Sequence, residues 1–558
     1  MTSAATSSVQ SLLRLWLKFS EANSFDDSTW DPAAAQEHKL LEIVRRNQAT
    51  LYGREHGFGG IRSITDYQQA VSPNTYETLS PYIERMLEGE GDLLTADQPV
   101  MFATTSGTTG RAKYIPVPPS YLHEYSRGVH VHTYRIFTDY RDILEGQIFV
   151  SPSGDVEGHT QGGVPYGAIS GHLARAQPRS IRRFYALPQE IGNVKRVDVK
   201  YYLMLRYALA ADLRLIVAPN PSSLILLADK MSHFADDLIE DIRRGSINPA
   251  HSDGAPPGLT AGLQADPRRA DFLSGIVRSS GGLLPADVWP NLRLLSCWKG
   301  GNMPLYLRKL PAYYGDCPVR DLGYMASEGR GATPLVNSGS AGVINVNSHF
   351  FEFVREEDRD RPDAEFLTCD QLESNREYYV YFTTSAGLYR YDINDVIRVV
   401  DFYRNTPVIQ FVRKGQGISS ITGEKLTESQ VTEALLEVVD RRSFDVRHFT
   451  ASVEWGEPPR YAMHAELGES MTREQGHLFL REIERALCAR NVEYEAKRES
   501  QRLGPPVLKR VAPGTYEELR QMRVAQGAPE TQVKIPQLST DLQFGDGLKV
   551  LEEIEMTP

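Results

Sequence analysis

The chain has 558 residues, 41% of them hydrophobic and 24% charged, with a formal net charge of −11 at pH 7. This length exceeds one ordinary core and predicts roughly two to four domains of a folded, globular protein. The acidic balance, with no dense lysine–arginine cluster, excludes nucleic acid as an expected partner. Four cysteines, Cys297, Cys317, Cys369 and Cys488, stand far apart without a CxxC pair. Neither a disulfide framework nor a zinc site is expected from them, and the compartment reads as reducing and cytoplasmic.

At the N-terminus "SLLRLWLKF" (11–19) is apolar but interrupted by Arg14 and Lys18, so it reads as an amphipathic helix and not as a targeting segment. No run of about 18 apolar residues follows, and no membrane partner is expected. In "QEHKLLEIVRRNQATLYGRE", Leu40, Val44 and Leu51 share one helical face. "PVMFATT" (99–105) and "QIFVSPSG" (147–154) read as buried strands running into polar loops. "LRLIVAPN" then feeds a helix carrying Leu227, Met231, Phe234, Leu238 and Ile242, with Ser222 or Ser223 as its cap and Gly245 as its end. A strand feeding such a helix favours a mostly parallel sheet with helices on its faces.

From Val343 to Val412 the texture changes to short strands, a meander or small barrel. "KGQGISSITGEKLTESQV", rich in glycine and serine, reads as a hinge. Thr427 and Gln430 form a capping box for a helix carrying Val431, Leu435 and Val438. Two strands, "VRHFTASVEW" and "PRYAMHAEL", come next, then a helix carrying Leu480, Ile483 and Leu487. The expected fold is α/β. A large N-terminal domain, 1–413, combines mixed and parallel sheets flanked by helices with a small barrel-like part. A small mobile α/β domain, 414–558, follows a hinge near 413–426.

The stretch "MFATTSGTTGRAKYIP" (101–116) carries the first chemical signal. It lacks the GxxxxGK[ST] spacing of the Walker loop. Backbone N–H groups of a glycine-rich turn nevertheless make an anion-binding nest, hydroxyls add donors, and Lys113 adds a point charge. A solvated turn is the plain alternative.

"TSGTTGRAK" resembles the phosphate-binding motif of the adenylate-forming enzymes, and further motifs follow in that superfamily's order. "GYMASEG" (323–329) is similar to its second motif, "LYRYDINDV" (388–396) to its third, and "FVRKGQGISSITGEKLTE" (411–428) to its hinge. Within the superfamily the chain resembles the acyl-acid amido synthetases, the auxin-responsive Gretchen Hagen family. "SITGEKLTE", "VAPGTYEELR" and "GAPETQVKIPQ" carry that closer likeness. Asp392 and Asn394 stand where arginine and glycine are usual, and Gln537 where arginine is. These departures mark a distant member, expected to be bacterial.

The resemblance implies an ATP-dependent ligase that adenylates a carboxylic acid and transfers the acyl group to an amine, expected to be an amino acid, with ATP and Mg²⁺ as cofactors. It implies that Thr105, Ser106, Gly107, Thr108, Thr109 and Lys113 cradle the phosphates, with Glu328 as a hard oxygen ligand for Mg²⁺. Tyr324 and Ser327 of the second motif, and Gly300 and Gly301 of "WKGGNMP", fall to the nucleotide. Asp395 accepts from the ribose hydroxyls and Arg413 lies near the hinge. Lys425 and Lys534 would reach the α-phosphate on domain closure. Val164, Tyr166 and Ile169, from the loop after residue 150, fall to the acyl pocket, with His159 and His172 as weaker candidates for a base. An acyl-CoA ligase of the same superfamily is the first alternative, although "KIPQLSTDLQ" has no "SGK" after its proline. A catalytically silent nucleotide-binding protein is the second, and a carrier-protein acceptor stays open.

Overall fold

The computed structural model describes residues 11–556 apart from 106–112, 155, 178, 260–262, 302, 360, 416, 420, 422–423, 425, 469–470, 500, 502 and 526–532. The chain divides into two compact units. One comprises the described residues before 106 together with 113–393 and 397–411, and the other 394–396 and the residues from 412 onward.

In the first unit a helix over 11–17 continues into a π-helical turn, Lys18–Ala22. The stretch is helical as expected, but of its large apolar residues Leu17 is buried while Leu12, Leu15, Trp16 and Phe19 are exposed, so the apolar face is not the one turned to the core. The helix Pro32–Arg46 starts where Asp31 accepts the Ala34 N–H and proline fills the first turn. It buries Leu40 and Val44 fully. Leu51 belongs instead to a separate short helix, Leu51–Glu55, because Thr50 turns to extended backbone and caps a new start through the Gly53 N–H.

Eight strands come next: β1 (Met101–Thr105), β2 (Lys113–Val117), β3 (Gln147–Val150), β4 (Gly158–His159), β5 (Pro165–Gly167), β6 (Leu213–Val217), β7 (Leu294–Ser296) and β8 (Val319–Arg320). They form two sheets, ordered β2-β1-β5-β4 and β3-β6-β7-β8. Every pair of the second sheet is parallel, as a strand feeding a helix requires. Beyond β6 the expected single helix is two, Pro221–His233 and Ala235–Arg244, interrupted at Phe234. Asn220 caps the first, accepting the Ser222 N–H, because Pro221 already occupies the first helical position. Gly245 ends the second in the left-handed region, φ +69°. Leu227, Met231, Phe234, Leu238 and Ile242 all enter one core.

The strand-rich stretch supplies β9 (Met325–Ala326), β10 (Gly329–Arg330), β11 (Ala332–Thr333), β12 (Gly342–Ile344), β13 (Phe350–Arg355), β14 (Glu377–Thr384), β15 (Leu388–Tyr403) and β16 (Thr406–Lys414). The first two make a hairpin, and the others a six-stranded sheet ordered β11-β12-β16-β15-β14-β13. Both of its faces contribute to the main core, with the consecutive Phe350 and Phe351, and Phe382 and Tyr389, buried.

The second unit carries β17 (Ile418–Ser419), β18 (Leu426–Thr427), β19 (Val446–Glu454), β20 (Arg460–Leu467), β21 (Val507–Val511), β22 (Leu538–Ser539) and β23 (Val550–Glu555). Five of these form a sheet ordered β22-β19-β20-β21-β23. The helix Glu428–Arg442 opens with the reciprocal Thr427–Gln430 capping box, and buries Val431, Leu435 and Val438. The helix Arg473–Arg490 buries Leu480, Ile483 and Leu487. The four cysteines are free. Among the described residues no helix is long and apolar enough to cross a membrane.

Candidate active site

The stretch that opened the chemical argument is framed by β1 and β2, whose ends pair Thr105 with Lys113. Ser106, Gly107, Thr108 and Thr109 lie outside the described residues, as does Lys425. Antiparallel partners share a face. Lys113 therefore sits on the side of Thr105, its ammonium 5.2 Å from the Tyr76 ring centre. The opposite face carries Thr104 and Tyr114.

Parallel to β1 runs β5, with Tyr166 beside Phe102 and Gly167 beside Ala103. The acyl-pocket candidates are thus neighbours of the strand that leads into the glycine-rich stretch. Ile169 is buried at the start of the helix Ile169–Ala176, and Val164 and Tyr166 are half-buried against the same core. Tyr166 meets Tyr114 edge-on, ring centres 5.4 Å apart. Glu157, which no motif singled out, joins them: its Oε2 accepts the Thr104 hydroxyl at 3.0 Å. Glu157 is exposed, but the desolvation its carboxyl meets among these neighbours raises it above the ordinary value, with the Thr104 bond pulling the other way. His159 stands exposed on β4.

Glu328 occupies the tip of the hairpin β9–β10, where Ala326 pairs with Gly329 and leaves Ser327 and Glu328 as the two turn residues. This tip is held from below. The Tyr121 hydroxyl donates to the Ser327 carbonyl at 2.7 Å, and the Arg330 N–H donates to His349 Nε2 at 3.2 Å. His349 Nδ1 in turn lies 3.4 Å from Glu124, which also holds the Lys39 ammonium at 2.8 Å, all three groups being buried. Burial pushes the Glu124 carboxyl up, but His349 and the Lys39 charge outweigh it and bring it down to about 2. The Glu328 charge reaches Tyr121, Tyr125 and Tyr391, where it adds to burial in raising each phenol.

Two further turns leave the parallel sheet at the ends of β7 and β8, where crevices for ligands form in such sheets. Asp321 ties them together. One carboxylate oxygen accepts the Lys299 N–H at 2.6 Å, the other the Gly323 N–H at 2.6 Å. Asp321 has no exposed surface, and burial pushes its carboxyl up to about 6 against those two bonds and the charges of Lys299 and Arg330. Beyond the clamp, Tyr324 stacks on Phe411 with ring centres 6.1 Å apart, and Phe411 packs on Trp298 at 5.7 Å. Gly301 adopts φ +63°, and a Cβ there would stand 3.4 Å from the Phe411 ring; one at Gly300 would stand 2.7 Å from the Trp298 indole. Tyr324, Gly300 and Gly301 are therefore brought to one aromatic cluster. Tyr324 itself is 5% exposed, so a base would meet the edge of this cluster and not an open ring face.

In the second unit Asp395 and Arg413 are buried and Lys534 is exposed. Two of the departures from the family pattern acquire physical reasons. Asn394 has φ +56°, a left-handed position that glycine fills freely and asparagine tolerates better than most residues. Asp392, in the first unit, is paired with Arg359, so its charge is compensated locally. Gln537 is buried, and its N–H donates to Glu428 Oε1 at 2.6 Å, linking the segment after Lys534 to the helix start three residues beyond Lys425. The hinge-like stretch is anchored at Glu424, whose Oε1 accepts both the Ile421 N–H and the Tyr461 hydroxyl. Among the described residues no three His, Cys, Asp or Glu side chains group as a metal site.

Glu157, Asp321, Glu428 and the Glu124–His349 pair escaped sequence reasoning. Each is a lone acid or histidine with at least one partner from a segment distant in the chain, such as Lys299 for Asp321. The only local cue was Asp321, three residues before the tyrosine of the second motif.

Parallel-sheet crevices, a paired β1 and β2 that frame the glycine-rich stretch, and a carboxylate at a braced turn define the class: the fold is that of the adenylate-forming ligases. A 2-hydroxyisobutyryl-CoA ligase structure shares it at TM-score 0.51 and 12% identity, over 92% of this chain and 91% of that one. A GH3.15 acyl acid amido synthetase structure superposes at TM-score 0.84, with 23% identity over 96% of this chain and 97% of the other. Family models match in order: the GH3 family N-terminal domain over 21–319, the central domain over 342–414 and the C-terminal domain over 428–543. The chain belongs to the GH3 family. Among its relatives, a probable indole-3-acetic acid-amido synthetase of Oryza sativa subsp. japonica is 26% identical, across 95% of this chain and 94% of its own. A jasmonoyl–L-amino acid synthetase of the same organism is 25% identical, across 92% and 93%. The chain is accordingly an enzyme, a carbon–nitrogen ligase of the acyl acid amido synthetase class.

Proposed function

We propose that this ligase uses ATP to convert a small carboxylic acid into an acyl adenylate and passes the acyl group to an amino acid, giving an amide, AMP and pyrophosphate. The observation that carries the reading is the end-to-end match with amido synthetases, on a chain that keeps Glu328, Asp395, Lys425 and Lys534 in their motifs. Joining an acid to ATP brings two anions together, and preorganised donors and cations lower that barrier. Residues 105–109 and Lys113 hold the triphosphate, and Asp395 accepts from the ribose hydroxyls. Tyr324, Gly300, Gly301 and Ser327 border the base, with Arg413 near the sugar or phosphates. Val164, Tyr166 and Ile169 line the acid. Lys425 and Lys534 steady the α-phosphate, carried by a C-terminal domain, 414–558, that moves on residues 413–426 against a body of 1–413.

Glu328 suits Mg²⁺, since this ion is commonly held by one or two carboxylates together with substrate phosphates, and the braced hairpin tip presents a single carboxylate. Bound there, the ion neutralises charge on the phosphates as pyrophosphate leaves. The reading places the enzyme in the cytoplasm, in keeping with four unbridged cysteines.

Purified protein with ATP and Mg²⁺ should be offered a panel of indolyl, aryl and aliphatic acids, with amino acids and coenzyme A competing as acceptors, and products identified by mass spectrometry. Amides support the reading; a thioester as sole product overturns it. Glu328→Ala and Asp395→Ala should each abolish acid-dependent ATP–pyrophosphate exchange, and full exchange in either variant removes that residue from the scheme.

A further inference from the structure

Adenylate chemistry leaves one requirement unmet by the residues assigned so far. An amino acid arrives as an ammonium ion, which has no lone pair, and must be both recognised and deprotonated before it attacks. We propose that Glu157 receives the ammonium group of the acceptor amine, beside the edge-on pair Tyr114–Tyr166, and takes its proton. The inference rests on the amido synthetase reading and adds to it the site of the second substrate.

Three independent features of the structure converge on this. Glu157 is fixed in place: its backbone N–H donates to the Tyr166 carbonyl at 2.8 Å, and its carboxylate accepts the Thr104 hydroxyl. The Tyr166 ring lies over Gly158, where a Cβ would stand 2.4 Å from the phenol oxygen, so the strand can carry only glycine next to the acid. Secondly, among the described residues no cation is paired with Glu157. Lys113, the nearest lysine along β2, lies on the other face of the sheet over Tyr76. Among the described residues the carboxylate has Thr104 from β1 as its hydrogen-bond donor and lies close enough to Tyr114 from β2 for its charge to raise that phenol, while Tyr166 from β5 meets Tyr114 edge-on. A carboxylate beside an aromatic pair, with no cation paired to it among the described residues, suits an ammonium ion, which the charge attracts and a ring face stabilises further. Thirdly, Thr104 immediately precedes Thr105 and the glycine-rich stretch, and Tyr166 is an acyl-pocket candidate, so the carboxylate lies beside the strands already assigned to acid and phosphate. Glu157 is exposed, yet the desolvation its carboxyl does meet raises it above the ordinary value and makes it a stronger base than a fully solvated glutamate.

The step balances. The ammonium gives one proton to the Glu157 carboxylate, and the freed nitrogen lone pair forms the C–N bond to the acyl carbon. The bond from that carbon to the phosphate oxygen breaks, its electron pair leaving on AMP, and the second nitrogen proton passes to solvent. Thr104 is a positioning residue in this scheme, acting through Glu157.

Three readouts on the full chain test the proposal: acid-dependent ATP–pyrophosphate exchange, trapping of the adenylate by hydroxylamine, and conjugation to a mixture of the twenty amino acids. Hydroxylamine is neutral at neutral pH and needs no base. Glu157→Gln is expected to retain exchange and hydroxamate formation while conjugation falls about 100-fold in kcat/KM for the amine. Thr104→Val removes the bond that lowers the carboxyl, so the acidic limb of the conjugation profile should move to higher pH. Undiminished conjugation in Glu157→Gln overturns the proposal, as does an equal loss of all three activities, which would place Glu157 in adenylation or in folding. Absence of exchange in the wild-type protein with every acid overturns the amido synthetase reading instead.

Discussion

Replacing Asp321 by asparagine tests whether one buried carboxyl holds the two turns that end β7 and β8. Asparagine keeps one oxygen and turns an NH₂ group on the other backbone N–H, so one of the two 2.6 Å bonds is lost. Leaving a buried donor unmet costs about 1–3 kcal/mol. The wild-type group adds a pH dependence that the variant lacks. Its folded-state value of about 6 lies above the ordinary 3.8, so between these values the folded protein binds more protons than the unfolded chain. Stability from this group is therefore highest at low pH and declines as pH rises through that window. The full difference is about 3 kcal/mol, of which a little under half falls between roughly pH 5 and pH 7. The disadvantage of Asp321→Asn should accordingly shrink by that amount over the same range. Hydrogen exchange of peptides spanning residues 297–303 and 321–325 reads it directly, as a ratio of variant to wild type that cancels the intrinsic pH effect. The ratio should fall nearly tenfold from about pH 5 to about pH 7. A ratio independent of pH would refute the reasoning, showing that the carboxyl is already ionised at the lower pH.

Gly331→Ala places a Cβ 2.5 Å from the Tyr324 ring; overpacking of this kind costs about 1–3 kcal/mol, and the exchange assay should show a higher KM for ATP with that for the acid unchanged. Glu428→Ala removes the acceptor of the Gln537 N–H. Exchange of the amides around 537–539 should then rise by about fivefold or more, following the cost of an unmet buried donor. Glu124, lowered from 4.5 to about 2, contributes about 3 kcal/mol that is present above its unfolded value and lost as pH falls toward 2. In acid titrations followed by tryptophan fluorescence, Glu124→Gln should lose stability at neutral pH and show a flatter decline over that window.

Much of the architecture was legible because local rules agreed with the tertiary outcome. The Thr427–Gln430 box, the left-handed stop at Gly245 and the apolar face of Leu480, Ile483 and Leu487 each depend on residues within a few positions of one another. Where two local signals competed, the stronger won: Pro221 fixed a helix start that the serines alone would have placed later, and extended backbone at Thr50 separated Leu51 from the helix before it. The motifs led to Glu328, Tyr324, Gly300 and Gly301, whose surroundings the structure supplies. Residues that act by bridging segments stayed hidden, since the partners of Asp321, Glu124 and Glu428 are read only after folding. Asn394 shows the converse. A departure in residue type turns out to preserve the backbone conformation that the usual glycine provides.

The sheet of the second unit is ordered β22-β19-β20-β21-β23, so residues 538–555 furnish both of its flanks. Synthesis delivers the chain from its N-terminus, and the inner strands β19 and β20 emerge some seventy to a hundred residues before their outer neighbours. β19 presents a bare edge until residue 539 has left the ribosome, and β21 until residue 555 has, each open to pairing with any other extended segment. The late strands therefore act as covers as well as parts of the sheet. A frameshift or nonsense codon between residues 511 and 538 would yield a polypeptide lacking both covers, with the edges of β19 and β21 open to self-association.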